Sequence, residues 1–280
     1  MTAAPDANPR KDTAAGTLAD LAILIPAYNC QADLERTLAS LREDAPLSVL
    51  IVDDGSMPPI VAPAPQALPN LQIEILRLVP NGGIERALRC GCEHLFERGV
   101  RYIGRIDAGD LAVAGKFGRQ RAYLEAHPEV GALGTWVEVV SLAGAPMFTL
   151  RPPTTPAEIR RLRFWRSCFV HPTMMLRASA VAEAGNYRLR YRAAEDLDLF
   201  LRIMERHSCA NLPEIGLHYE LNTSGISATR RRAQVLSTLR LQLHYFEPFN
   251  RYYWAGLAKN LLHLILPYRT LQRIKHALLQ

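Results

Sequence analysis

The sequence predicts an α/β protein built on an open, mostly parallel central sheet, and three observations carry this. Apolar runs alternate with segments whose apolar residues recur at helical spacing. At 280 residues and 49% hydrophobic content, the chain is large enough to bury a full core. Two of the apolar runs end on acids, VDDGS at 52–56 and IDAGD at 106–110, and an open α/β sheet gathers its ligand groups beyond the carboxyl ends of its strands.

In chain order, residues 1–20 are rich in Ala, Pro, Thr and Asp, lack the apolar core of a signal peptide, and read as a flexible tail. LAILIP (21–26) reads as a buried strand, and Leu34, Leu38 and Leu41 then follow at helical spacing. SVLIV (48–52) is a second strand. The five prolines of 57–69 forbid the helix that an α/β unit would place next. IEILRL (73–78) is a third strand, NGG (81–83) a turn, 84–98 a helix and RYIGRI (101–106) a fourth strand. Beyond Gly115 the pattern predicts helices near 115–127, 156–165, 178–184 and 196–207, with strands at 131–140 and around 215–220. The last stretch, 251–280, interleaves apolar stripes with Lys and Arg, and Pro267 divides it into two short helices. Its longest uncharged run, 260–268, is too short to span a bilayer but long enough to lie on one.

The five cysteines are odd in number and scattered, with no paired C-x-x-C, which excludes a zinc ribbon or a disulfide scaffold and fits a reducing, cytoplasmic compartment. Charge is uneven. Residues 151–192 carry nine Arg against two Glu, and 226–280 carry nine Lys/Arg against Glu247 alone. With +7 and +8 there and +6 overall, the remainder is −9. Such asymmetry points to an anionic partner near the basic parts, a nucleotide diphosphate or a phosphorylated lipid among them. The basic segments contain no nucleic-acid reading motif, so nucleic acid is not expected as a partner. Oligomeric state cannot be read from the sequence.

Carboxylates at strand ends are held by a rigid sheet, where they can accept hydrogen bonds from a nucleoside and hold a divalent cation against phosphate oxygens. NGG opens the helix at 84–98 and can turn backbone N–H groups toward an anion. Read this way, Tyr28 could equally be core and Asp53 a turn former.

The ordered set IPAYN (25–29), IVDDGS (51–56), NGG (81–83), RIDAGD (105–110), HPTMMLR (171–177), AGNYR (184–188) and AEDLDLFLR (194–202) resembles the family 2 glycosyltransferases of the GT-A fold. The resemblance spans 21–227, divided into a nucleotide-sugar half (21–115) and an acceptor half (116–227), with 228–280 as a basic amphipathic helical extension. It implies that Pro26, Tyr28, Asp54, Gly83, Arg86, Arg105 and Asp107 bind the nucleotide-sugar donor and that Asp107 and Asp110 hold Mg²⁺ or Mn²⁺. By the same resemblance His171 lines the acceptor site, Asp196 is the general base and Glu195 its neighbour in the catalytic pair. Gly109 stands where the family usually has a direct metal ligand, and Asn222 where many relatives have a histidine. The expected activity is inverting, non-processive transfer from a UDP-sugar to a glycan or lipid-linked acceptor of a bacterial surface polysaccharide, with peripheral membrane contact through 251–280. The competing reading is a nucleotide-sugar-binding protein of the same fold without turnover.

Overall fold

The computed structural model describes residues 20–141, 144–220 and 231–265. A single sheet runs through it in the order β3-β2-β1-β4-β8-β6-β9-β5, with β7 beside β6. Its first half is the expected α/β unit: β1 (Leu21–Ala27), α1 (Gln31–Ser40), β2 (Leu47–Asp53), β3 (Leu71–Arg77), α2 (Ile84–Glu97) and β4 (Tyr102–Arg105). These four strands pair in parallel, so their carboxyl ends lie along one edge of the sheet. As the prolines require, no helix separates β2 from β3.

The second half mixes directions. It contains β5 (Leu111–Ala112), α3 (Lys116–Ala126), β6 (Val130–Val140), β7 (Pro146–Leu150), α4 (Pro156–Leu162), β8 (Met175–Arg177), α5 (Ala178–Glu183), α6 (Glu195–Ile203) and β9 (Ser208–Glu220). β8 enters antiparallel between β4 and β6, while β6 and β9 pair in parallel over most of their length. The sheet is therefore parallel on one side and mixed on the other. β9 begins earlier than its apolar signal suggests, because Leu212 and Ile215 pair with the adjacent Thr135 and Trp136, leaving Pro213 and Glu214 in a bulge. A bulge accommodates a residue that has no N–H to give the ladder.

Alternation along β1 builds a core on each face. Ala22 and Leu24 join Leu88 of α2, Val181 of α5 and Leu199 of α6, whereas Leu21, Ile23 and Ile25 join Leu38 of α1 and Phe117 of α3. Gly91 lets α2 approach the sheet closely, since a Cβ there would lie 2.4 Å from Leu24 Cδ1. Two further helices, α7 (Arg231–His244) and α8 (Arg251–Ile265), extend the first core through Leu241 and Tyr253, both fully buried. Residues 1–19, Asn222 and the part of the C-terminal stretch from 266 onward lie outside the described residues.

Candidate active site

The ends of β1 and β2 are stitched together. Asn29 donates its N–H to Ser56 Oγ (2.9 Å) and accepts the Met57 N–H on its own side-chain oxygen (2.9 Å). This leaves Tyr28 half exposed on the rim instead of in the core, with Pro26 half buried behind it. Asp53 is the turn former: it accepts the N–H groups of Ser56 (2.8 Å) and Ile60 (3.3 Å). Asp54 has a different task. Its carboxylate takes Asn81 Nδ2 (2.8 Å) and the backbone N–H groups of Gly82 (3.0 Å) and Gly83 (2.7 Å). The donors that the NGG turn could have offered to a nucleotide anion are thus given to Asp54, and Gly83 shapes the rim without presenting its N–H outward. Arg86 also turns inward, donating to the Pro80 carbonyl (2.7 Å) over Gly82.

The RIDAGD segment is organised around two buried cations. Arg105 is completely buried. It donates to the Ile106 carbonyl (2.9 Å) and to Asp107 Oδ1 (2.8 Å). The expected direct contact of Arg105 with the donor is therefore corrected: with no exposed surface the guanidinium acts from beneath, through Asp107. Burial opposes its charge, but Asp107 and Glu195 outweigh that and raise its pKa. Lys116, also fully buried, sets its ammonium 3.4 Å from the Arg105 carbonyl and 3.2 Å from that of Pro172. Burial pushes it down to about 7 against the pull of Asp110.

Asp107 is the half-exposed member of the acid pair. Asp110 is buried and leaves Oδ2 without a hydrogen-bond partner among the described residues. Burial, then Asp107, holds the Asp110 carboxyl well above the usual range, while Lys116 and Arg105 pull it back. A buried, partnerless carboxylate oxygen beside an accessible carboxylate fits a divalent cation. The described residues contain no cluster of three or more His, Cys, Asp or Glu for a metal, so the pair would need diphosphate oxygens or water as further ligands. Gly109 sits at φ +106°, a conformation that L side chains rarely adopt. Thr37 of α1 fixes the loop by accepting the Gly109 N–H (2.9 Å) and donating to the Asp110 carbonyl (2.9 Å). Tyr219 of β9 also senses this loop: burial, then Asp110 and Asp107, raise its hydroxyl pKa.

The first turn of α6 carries three acids. Asp198 is committed to Arg202, accepting its Nε–H at 3.0 Å. Glu195 and Asp196 remain. Glu195 is buried and its Oε2 has no partner among the described residues; burial, then Asp196, pushes its carboxyl up to about 8, with Arg105 opposing. Asp196 is half buried and accepts the Leu197 N–H at 2.7 Å. Burial raises its pKa too, and the backbone donors and Arg105 hold it down. The charge of Arg105 acts on Glu195 and Asp196 as well as on Asp107, and the Asp196 carboxyl also feels Asp107, which couples the acids of the β4 end to those of α6.

His171 is half buried: its Nε2 is engaged with the Tyr187 hydroxyl (2.8 Å) and its ring stands edge-on to Phe200 at 5.9 Å. Burial and Arg105 hold its pKa well below the usual value. Sequence reasoning missed Thr37, Lys116, Tyr187 and Tyr219. None left a signal: Lys116 opens a helix that also carries Arg119, Arg121 and Glu125, so spacing does not single it out.

Residues 22–185 match the family model described as glycosyl transferase family 2. The chain is 28% identical over 225 residues to the amylovoran biosynthesis glycosyltransferase AmsE of Erwinia amylovora, covering 78% of this chain and 83% of that protein. It is 27% identical over 190 residues to the putative glycosyltransferase EpsE of Bacillus subtilis, covering 66% of each. Among solved structures it resembles S. aureus TarS 1-349 in complex with UDP, with TM-score 0.61 and 15% identity over 89% of this chain and 73% of that one. The mannosyltransferase PcManGT of Pyrobaculum calidifontis, in complex with GDP-Man and Mn²⁺, gives TM-score 0.61 and 18% identity over 92% and 80%. These likenesses identify the fold as GT-A.

Proposed function

The chain belongs to glycosyl transferase family 2, and from that membership we propose that it is an inverting, non-processive enzyme. It moves a sugar from a UDP-sugar to a hydroxyl of a glycan or lipid-linked acceptor during assembly of a bacterial surface polysaccharide. The observation that carries the reading is the buried Arg105, ion-paired to Asp107 at 2.8 Å at the end of β4, whose charge also acts on Asp110 and on Glu195 and Asp196 at the start of α6.

Asp196 takes the proton of the acceptor hydroxyl as its oxygen attacks the anomeric carbon from the face opposite the leaving group. The bond from that carbon to the diphosphate breaks as the new glycosidic bond forms, which inverts the configuration. Glu195, protonated near neutrality, holds a substrate oxygen by donating a hydrogen bond and does not compete for the proton. Pro26, Tyr28 and the rim shaped by Asp54 receive the nucleoside, and Arg86 lies at that rim. A divalent cation, when bound by Asp107 and Asp110, would neutralise charge on the departing diphosphate. Solved relatives support a nucleotide-sugar donor, since TarS has been captured with UDP and PcManGT with GDP-Man and Mn²⁺. No described helix is long and apolar enough to cross a membrane, and the reading puts the enzyme in the cytoplasm, peripheral on the inner membrane face.

A panel of UDP-, GDP- and dTDP-sugars, assayed for binding and slow hydrolysis with Mg²⁺, Mn²⁺ or chelator, tests the proposal. Turnover of a UDP-sugar that chelator suppresses is the expected result. Binding without turnover of any donor would support the binding-protein reading instead.

A further inference from the structure

The corner between α7 and α8 is unlike the rest of the surface. Phe249 at its tip is fully exposed, and Phe246 and Trp254 are about half exposed beside it. These rings are held in place: Phe246 meets Trp254 edge-on at 5.9 Å, and the Trp254 indole N–H donates to the Pro248 carbonyl at 3.0 Å. The amphipathic pattern of α8 explains why Trp254 faces outward. Tyr253, Gly256 and Asn260 are the buried positions, and Gly256 is pressed so closely on Phe164 that a Cβ would lie 2.0 Å from its carbonyl oxygen. The opposite side of the helix carries Trp254, Leu261 and Leu262, all substantially exposed.

Cations frame this apolar surface. Arg161 and Arg251 line a shallow hollow together with Phe249 and Tyr252, and both guanidinium groups lie over the Tyr252 ring, at 5.7 and 4.9 Å. Lys259 lies over Trp165, at 5.2 Å. The one acid lining the hollow, Glu247, is neutralised by Arg163. Fixed, outward-facing aromatics beside the exposed Arg161 and Arg251 match the interface of an anionic bilayer, where rings enter the headgroup layer and cations meet lipid phosphates. A second copy of the chain fits less well, since it would bring Arg161, Arg251 and Lys259 against the same charges.

We infer that the α7–α8 corner, with Phe249 at its tip, is the surface on which the protein rests on an anionic membrane. This deepens the reading of a lipid-linked acceptor and rests on it for its purpose. It also moves the expected membrane contact from the whole 251–280 stretch to a corner that begins before it.

The test uses the full chain and vesicles of phosphatidylcholine with or without about a third phosphatidylglycerol, with no nucleotide or acceptor present. Vesicle binding and donor turnover are thus read separately, and failure of one leaves the other standing. The wild-type chain should float with anionic vesicles and bind neutral ones about tenfold more weakly, with salt removing the difference. Phe249→Ser, at a position that contributes nothing to the core, should weaken anionic-vesicle binding by about tenfold. Arg251→Gln should weaken it by about fivefold. Circular dichroism and UDP binding of both variants should match wild type. Absence of wild-type binding, or undiminished binding by Phe249→Ser, overturns the inference. So does a dimer that Phe249→Ser converts to monomer, or an RNA oligonucleotide that binds this corner in preference to vesicles.

Discussion

Two neighbouring carboxyls at the start of α6 are both raised by burial, but their side-chain oxygens meet different partners. Asp196 receives a backbone N–H, whereas Glu195 Oε2 receives nothing among the described residues. Burial raises both carboxyls, that of Glu195 to about 8, so the pair shares a proton near neutrality. Asp196→Asn should lower kcat by about 10²- to 10⁴-fold with the donor Kd unchanged, read by steady-state kinetics beside donor titration. Glu195→Gln should cost far less at neutral pH, and it has a second signature. Folded Glu195 keeps its proton up to about 8, while the unfolded group releases it near 4.5. Its stabilising contribution is thus complete below the lower value and lost as pH rises through the upper one. Urea midpoints measured across that window should fall less in Glu195→Gln than in wild type. Gly109 poses a different single-residue problem. A side chain there has room, the nearest neighbour of its Cβ being Asp33 at 3.9 Å, but φ +106° does not suit it. Gly109→Ala and Gly109→Asp should each cost about 1–3 kcal/mol in thermal or urea unfolding. Only the Asp variant should regain stability when Mn²⁺ is added.

Among the elements, α1 is both a core helix and a clamp. Leu34 and Leu38 bury one stripe of it, and Thr37 on the same side reaches the acid loop. Thr37→Val keeps the shape and removes the hydroxyl, leaving the Gly109 N–H and the Asp110 carbonyl without this partner. A loss of about 1–3 kcal/mol in stability is expected. A lower kcat should accompany it, because the loop that carries Asp107 is freed. Valine that lowers stability without slowing turnover would restrict Thr37 to a structural role.

At the scale of the molecule, the site exists because the parallel half of the sheet delivers Asp107 and Asp110 while the mixed half delivers α6, and Arg105 lies between them. This separates two substitutions at Asp107. Asp107→Asn keeps an oxygen for the buried guanidinium and should abolish metal-dependent donor binding with the fold intact. Asp107→Ala strips Arg105 of its partner and should lose stability as well, since an unpaired buried charge is costly. Calorimetric titration of UDP with Mn²⁺, paired with melting curves, distinguishes them. Full donor affinity in Asp107→Asn would remove this residue from the donor site.

The sequence by itself determined the strands of the parallel half, the helix-free Pro-rich stretch after β2 and the ordered motifs of the family. Those signals are local: an apolar run, a proline, an acid that ends a strand. Asp196 and Glu195 came forward through the resemblance to the family, since acids at a helix N-terminus can equally be caps. β8, three residues long, and the first half of β9, interrupted by Pro213, carry too little pattern to be read without their partners. The burial of Arg105 and Lys116 was equally out of reach, since a cation is tolerated in a core only where distant carboxylates and carbonyls converge on it. That His171 meets Tyr187, and whether the apolar stripe of α8 faced the core or the solvent, depended on what stood opposite each of them. Periodicity defines the face of an element, but only tertiary packing decides what that face meets.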